Sequence, residues 1–285
     1  MARFGLGCAV ATPVDEAGTV DLARLIGHLH WLDEHGCDVF CLFGTTGEGA
    51  SFGPLARRRA SQAVAVVIAP SRLVAGVMAA SAEDAVAQAM IAIEAGFRGI
   101  LLAPPFYFRG VSEAGVEAWF AEVLSALPPT EVLLYHIASM TGVGLSPALV
   151  GRLRAAFPRH IAGVKDSGCD RAATDALLAA HRDLSILVGD ERDLAHAVRH
   201  GGAGTICGLA NHIPERLRKV VAGQDEACLA PLIAAIARHP YIPASKALLA
   251  HRKRDPAWAR CAAPLAALTP DAAASLAAEA DSVLA

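Results

Sequence analysis

The sequence predicts an α/β protein, a closed (β/α)8 TIM barrel carrying a helical extension at its C-terminal end. Three observations predict it. Short apolar runs alternate with amphipathic stretches eight times within about 210 residues, the rhythm of parallel strands joined by helices. The runs are apolar throughout rather than alternating, as strands covered on both faces are. Polar motifs fall at the C-terminal ends of several runs, where a barrel of this kind converges on one mouth.

Taken in order, the candidate strands are residues 7–11, 39–43, 73–77, 99–102, 132–135, 161–165, 185–188 and 205–207. Helical periodicity fills the intervals, as in residues 21–35, 82–95, 113–127 and 146–157. Ser146-Pro147 is a strong helix start, a capping side chain followed by a proline whose missing N–H costs nothing in the first turn. Past Asn211-His212-Ile213-Pro214 the strand signals stop, and helical stretches punctuated by Pro231, Pro240, Pro243, Pro256 and Pro264 take over. The sequence therefore divides into a barrel, residues 1–214, and a helical region packed on it, residues 215–285.

Of the 285 residues, 54% are hydrophobic and 19% charged, and the net charge is −3. That balance suits one well-buried core and offers no basic face for nucleic acid. The opening Met1-Ala2-Arg3-Phe4-Gly5-Leu6 runs at once into Pro13 and Asp15, which a signal peptide does not do. The most apolar stretch, residues 60–78, is interrupted by Pro70, Ser71 and Arg72 and is no membrane span. A cytoplasmic location with no membrane partner is the expectation. Seven cysteines without a C-x-x-C pair read as buried reduced thiols.

Lys165 ends the sixth run, in Ile161-Ala162-Gly163-Val164-Lys165-Asp166-Ser167. Desolvation at such a strand end favours the neutral amine, the form that attacks a carbonyl. A lysine reaching to solvent beside Asp166 is the plain structural alternative. Tyr135 ends the preceding strand and suits proton transfer beside Lys165, or simply core packing. Gly44-Thr45-Thr46-Gly47-Glu48-Gly49 follows the second strand, with hydroxyls and backbone N–H groups fit for a carboxylate. It carries neither the lysine of a P-loop nor G-x-G-x-x-G, so no nucleotide is expected. His28 and His30 do not share a helix face, H-E-x-x-H is absent, and no metal is expected. Arg57-Arg58-Arg59 reads as a solvated helix surface.

Together these features resemble the dihydrodipicolinate synthase / N-acetylneuraminate lyase family. The resemblance runs through Thr12-Pro13, the GTTGE loop, Pro104-Pro105-Phe106-Tyr107, Tyr135, the GVKDS stretch and Gly202-Ala203-Gly204. It implies a lyase or aldolase that joins or splits pyruvate, or a related 2-oxo acid, and an aldehyde through an iminium on Lys165. No cofactor is implied beyond that covalent Schiff base. By the same resemblance Tyr135 is the general acid/base, Thr45 and Thr46 hold the carboxylate, and Thr46 joins Tyr135 in a proton relay. Tyr107 matches a tyrosine lent to a neighbouring subunit, which implies a homo-oligomer, a dimer or tetramer. Gly189 and Ile206 match positions lining the substrate pocket, and Glu48 matches the loop glutamate, read as a structural hydrogen-bonding group.

Met140 stands where dihydrodipicolinate synthases carry an arginine for the carboxylate of aspartate semialdehyde. A methionine supplies neither the charge nor the paired hydrogen bonds, which points to a less charged second substrate. A true 4-hydroxy-tetrahydrodipicolinate synthase despite Met140, a dehydratase of 3-deoxy-2-oxo sugar acids and a non-catalytic 2-oxo acid sensor remain alternatives.

Overall fold

The computed structural model describes residues 4–285, so Met1, Ala2 and Arg3 of the N-terminal stretch weighed above lie outside the described residues. Eight parallel strands close into a barrel in sequence order: β1 (Gly5–Ala9), β2 (Val39–Leu42), β3 (Leu73–Val77), β4 (Gly99–Leu102), β5 (Glu131–His136), β6 (Ile161–Asp166), β7 (Ser185–Val188) and β8 (Gly204–Cys207). β1 begins two residues earlier than its hydrophobic run suggests. The Asp38 carboxylate accepts from the Leu6 N–H, and Gly5 pairs with Gly204, so the ladder starts upstream of the most apolar residues.

The helices around the barrel are α1 (Leu22–Glu34), α2 (Pro54–Val67), α3 (Ala82–Glu94), α4 (Glu113–Ala126), the short α5 (Ala138–Thr141), α6 (Pro147–Ala156), α7 (Arg171–Ala180), α8 (Glu191–Arg199) and α9 (Pro214–Val221). Side-chain caps start them where the sequence offers Asp or Ser: Asp21, Ser81, Ser112, Ser146, Asp170 and Asp190 each accept a first-turn N–H. α9, the first helix past residue 213, packs on β1 and α8 and completes the ring. Beyond it lie α10 (Leu229–Ala237), α11 (Tyr241–Lys253) and α12 (Pro270–Leu284), which pack on one another. Among the described residues, no helix is long and apolar enough to cross a membrane.

Alternation along each strand sorts side chains into two layers. Leu102, Leu134, Val164, Ile186 and Cys207 face the helices, in the large outer core. Ala9, Cys41, Leu101, Leu133, Tyr135, Leu187 and Ile206 point inward and fill the barrel. The same alternation turns Lys165 inward between Tyr135 on β5 and Leu187 on β7, its register partners. All seven cysteines are free thiols, and four of them, Cys8, Cys37, Cys41 and Cys207, are buried around β1, β2 and β8.

Candidate active site

The centre of the site is a chain of three polar atoms inside the barrel. Lys165 Nζ donates to Tyr135 Oη at 3.2 Å, and Tyr135 Oη lies 3.2 Å from Thr45 Oγ1. The Lys165 ammonium also sits 4.3 Å from the Tyr135 ring centroid. Both residues are buried, with 4% and 2% exposure. Lys165 therefore does not reach to solvent beside Asp166. Asp166 faces the helix layer instead, where it accepts from Thr174 Oγ1 at 2.6 Å and from the Gly168 N–H at 2.9 Å.

Burial removes water from the Lys165 ammonium and by itself pulls its pKa down. Tyr135, Cys41 and Cys207 act the other way, and the net displacement is upward from the ordinary lysine value. This corrects the lowered value expected from a strand-end lysine. The sequence shows the desolvation but not the acidic groups gathered around it. Burial pushes the Cys41 thiol up to about 11 and Cys207 well above its usual value.

The loop after β2 is folded by backbone strain and held from behind. Phe43 and Glu48 both adopt positive φ, at 57° and 55°. Gly49 accommodates the turn because a Cβ there would overlap the Phe43 carbonyl. Arg57 locks the arrangement. Its guanidinium donates to the carbonyls of Phe52 at 3.0 Å, Gly76 at 2.8 Å and Gly49 at 2.7 Å. Arg57 is only 2% exposed, which corrects its reading as solvated surface, while Arg58 and Arg59 are exposed as expected. Burial brings its pKa down to about 10. Glu48 pairs with Lys246 of α11, and its other oxygen accepts from the Ala262 N–H at 2.6 Å.

This loop separates its two threonines. Thr45 meets Tyr135, whereas the expected relay runs through Thr46. Thr46 is buried, with its hydroxyl and that of Tyr241 from α11 both close to Gly208. Gly189 follows β7, where its N–H donates to the Asp166 carbonyl at 2.7 Å and a Cβ would overlap Ser167 Oγ. Ile206 is fully buried in the inward layer with Tyr135 and Leu187. Arg192 is tied to its own helix start, with Nη2 donating to Asp190 at 2.6 Å.

Tyr107 does not join this group within the chain. It is 78% exposed, at φ 94°, with its ring against Phe108. Met140, on α5, is 56% exposed and lines a cavity of about 250 Å³ at the barrel mouth. Met78, Phe106, Ile137, Ile242 and Leu265 make most of the remaining wall apolar. Neither Lys165 nor Tyr135 lines that cavity. Thr45 belongs to both the cavity and the Lys165–Tyr135 chain, and so connects them. Sequence reasoning missed Tyr241 and Lys246, which approach the mouth from the extension. Among the described residues, no cluster of three or more His, Cys, Asp or Glu is placed to hold a metal ion.

A sequence model of the dihydrodipicolinate synthetase family matches residues 3–252. A DapA-like lyase of Chloroflexus aurantiacus is 33% identical over 218 residues, covering 76% of this chain and 73% of that protein. The 4-hydroxy-tetrahydrodipicolinate synthase 1 of Streptomyces coelicolor is 35% identical over 228 residues, 79% of this chain and 72% of its own. The crystal structure of dihydrodipicolinate synthase from Agrobacterium tumefaciens superposes with a TM-score of 0.96 at 44% identity, covering 99% of this chain and 100% of that one. A barrel with a buried lysine and tyrosine side by side at its mouth, and a family match over most of its length, establish that this chain belongs to the dihydrodipicolinate synthetase family, as a lyase of the class I aldolase type.

Proposed function

We propose that the protein forms or breaks a carbon–carbon bond between pyruvate, or a related small 2-oxo acid, and an aldehyde, through a Schiff base on Lys165. The observation that carries this reading is the buried chain Lys165 Nζ–Tyr135 Oη–Thr45 Oγ1. When Lys165 gives up its proton by way of Tyr135, its neutral amine attacks the ketone carbon of the 2-oxo acid. Tyr135 then returns a proton to the departing hydroxyl, and water leaves as the iminium forms. The iminium draws electrons from the adjacent carbon, which loses a proton and attacks the aldehyde; cleavage is the reverse. Because the iminium is the electron sink, this chemistry calls for no metal or nucleotide.

Thr45 serves as the next link for the proton, and Thr46 holds the carboxylate with the loop's backbone N–H groups. Gly189 and Ile206 border the 2-oxo acid. The apolar wall with Met140 supports an aldehyde without a carboxylate of its own, which disfavours aspartate semialdehyde. The exposure of Tyr107, clear of its own barrel, supports a role in the relay of a second copy, with a homo-oligomer as the working form.

The test is mass spectrometry after incubation with pyruvate and borohydride, which reduces an iminium to a stable amine. An adduct on Lys165 that is absent from Lys165→Ala is the expected result. No adduct with pyruvate or with longer 2-oxo acids overturns the reading and favours a protein that only senses such acids.

A further inference from the structure

Tyr241 opens α11, far from the barrel in sequence, yet its hydroxyl lies among the ends of β2, β7 and β8. Thr46 Oγ1 lies close by, beside Gly208, and Glu191, Cys207 and Tyr135 are acidic neighbours that act on its phenol. The residue as a whole keeps 41% exposure while the hydroxyl itself is buried, so the open area belongs to the rest of the side chain and backbone. Gly208, directly after β8, makes room for it. A Cβ on Gly208 would overlap Tyr241 Oη and would stand 3.4 Å from Thr46 Oγ1. Ile206, two residues earlier, is the neighbouring inward side chain of the same strand.

Two consequences follow from elementary chemistry. Burial, then the charge of Glu191, holds the Tyr241 phenol well above its usual pKa, so it stays protonated. Glu191 Oε1 is already occupied by the Leu209 N–H at 2.9 Å. Glu191 acts on Tyr241 through its charge and not as a hydrogen-bond partner, so the phenol proton can go to Thr46, and a hydroxyl that accepts there keeps its own proton for a different acceptor. The second consequence is steric. Gly208 leaves a gap at the end of β8, and the Tyr241 hydroxyl fills it.

We propose that Tyr241 is a positioning residue for the 2-oxo acid: its hydroxyl donates to Thr46 Oγ1, leaving the Thr46 proton for the substrate carboxylate, and its bulk limits the β8 side of the subsite to an acid as small as pyruvate. This rests on the reading that Lys165 binds a 2-oxo acid. Selectivity among 2-oxo acids is then set partly by the C-terminal extension rather than by the barrel alone.

The experiment measures the concentration dependence of borohydride trapping on Lys165, which needs no aldehyde. Pyruvate and 2-oxobutanoate are compared in the wild-type protein, Tyr241→Phe and Tyr241→Ala. In Tyr241→Phe the half-saturating pyruvate concentration rises about tenfold while the limiting trapping rate holds, the mark of a lost binding contact. In Tyr241→Ala the preference also moves toward 2-oxobutanoate by about tenfold, the usual discrimination for one methylene. Gly208→Ala, which crowds the hydroxyl while keeping the tyrosine, reproduces the rise seen in Tyr241→Phe. An unchanged half-saturation in Tyr241→Phe overturns the proposal, and that variant decides the matter alone if Tyr241→Ala does not fold. Failure to trap the wild-type Lys165 removes the Schiff-base reading and this inference with it. Trapping with unaltered half-saturation removes this inference only.

Discussion

Glu48 and Lys246 meet across 198 residues of sequence as an ion pair with no exposed side-chain surface on either partner. Lys246 Nζ also donates to the Thr12 carbonyl at 2.9 Å, and Glu48 accepts from Ala262, so the charges are well hydrogen-bonded. Such a pair contributes little relative to an apolar replacement, but removing one member strands the other. Lys246→Met is expected to lower unfolding stability by about 3–5 kcal/mol, and Glu48→Gln in the same chain to restore part of it. Urea denaturation of the single and double variants checks this. Additive losses would show that the two side chains do not depend on each other.

Acid is expected to unfold the protein through two histidines. His28 and His212 are held neutral, with pKa values of about 3. Burial is the main cause in both, followed by the nearby Lys253 for His28 and Arg252 for His212. In the unfolded chain each titrates near 6.5. Between these values the unfolded state binds more protons, so stability is whole above about pH 6.5 and falls as pH drops, by about 1.4 kcal/mol per unit for each histidine. Denaturation midpoints measured at pH 7.5, 6 and 5 test the slope. A flat profile would contradict the buried neutral state.

The two threonines of the β2 loop should fail differently. Tyr135→Phe is expected to slow Lys165 trapping by about 10²–10⁴-fold, the usual worth of a positioned acid/base. Thr45→Val, which cuts the third link, is expected to slow it by about tenfold with half-saturation unchanged. Thr46→Val should do the reverse, raising the half-saturating 2-oxo acid and leaving the limiting rate. Single-turnover trapping resolves the three variants. Identical behaviour of Thr45→Val and Thr46→Val would erase the division of labour drawn from their opposite orientations.

Much of this was legible in the sequence, for identifiable reasons. Strands such as Leu73–Val77 and Ser185–Val188 are runs bounded by turn residues, and their period gives the barrel. Lys165 and Tyr135 stand out because polar groups ending apolar strands are conspicuous, and adjacent strands bring them together. What stayed hidden depends on distance and direction. Thr45 and Thr46 are neighbours in sequence, and only the left-handed turns at Phe43 and Glu48 decide which of them faces Tyr135. Arg57 looks like its neighbours Arg58 and Arg59 until the loop carbonyls arrive over it. Tyr241 and Lys246 lie in an ordinary helix, and nothing local announces that it crosses the barrel mouth.

Restoring a cation at the rim should change what the enzyme accepts. Met140→Arg places a guanidinium beside the apolar cavity, where it can pair with a carboxylate. The variant is expected to favour an aldehyde bearing a carboxylate over an apolar one by about tenfold or more relative to wild type. Competition between succinic semialdehyde and butyraldehyde, with pyruvate as the common partner and products quantified by chromatography, measures the shift. An unaltered ratio would place the second substrate somewhere other than this cavity.

The reach of α11 back to the mouth has a consequence for how the protein is made. All eight strands have left the ribosome once Cys207 emerges, yet the Glu48 carboxylate then has no counter-charge and Thr46 no phenol. The last strand of the barrel precedes α11 in the chain, so the surroundings of the site are finished after the barrel strands themselves. A truncated or stalled chain thus carries a lysine and tyrosine in place with the neighbouring loop unsupported. The loop that flanks the reactive amine gains its support only from the last part of the chain.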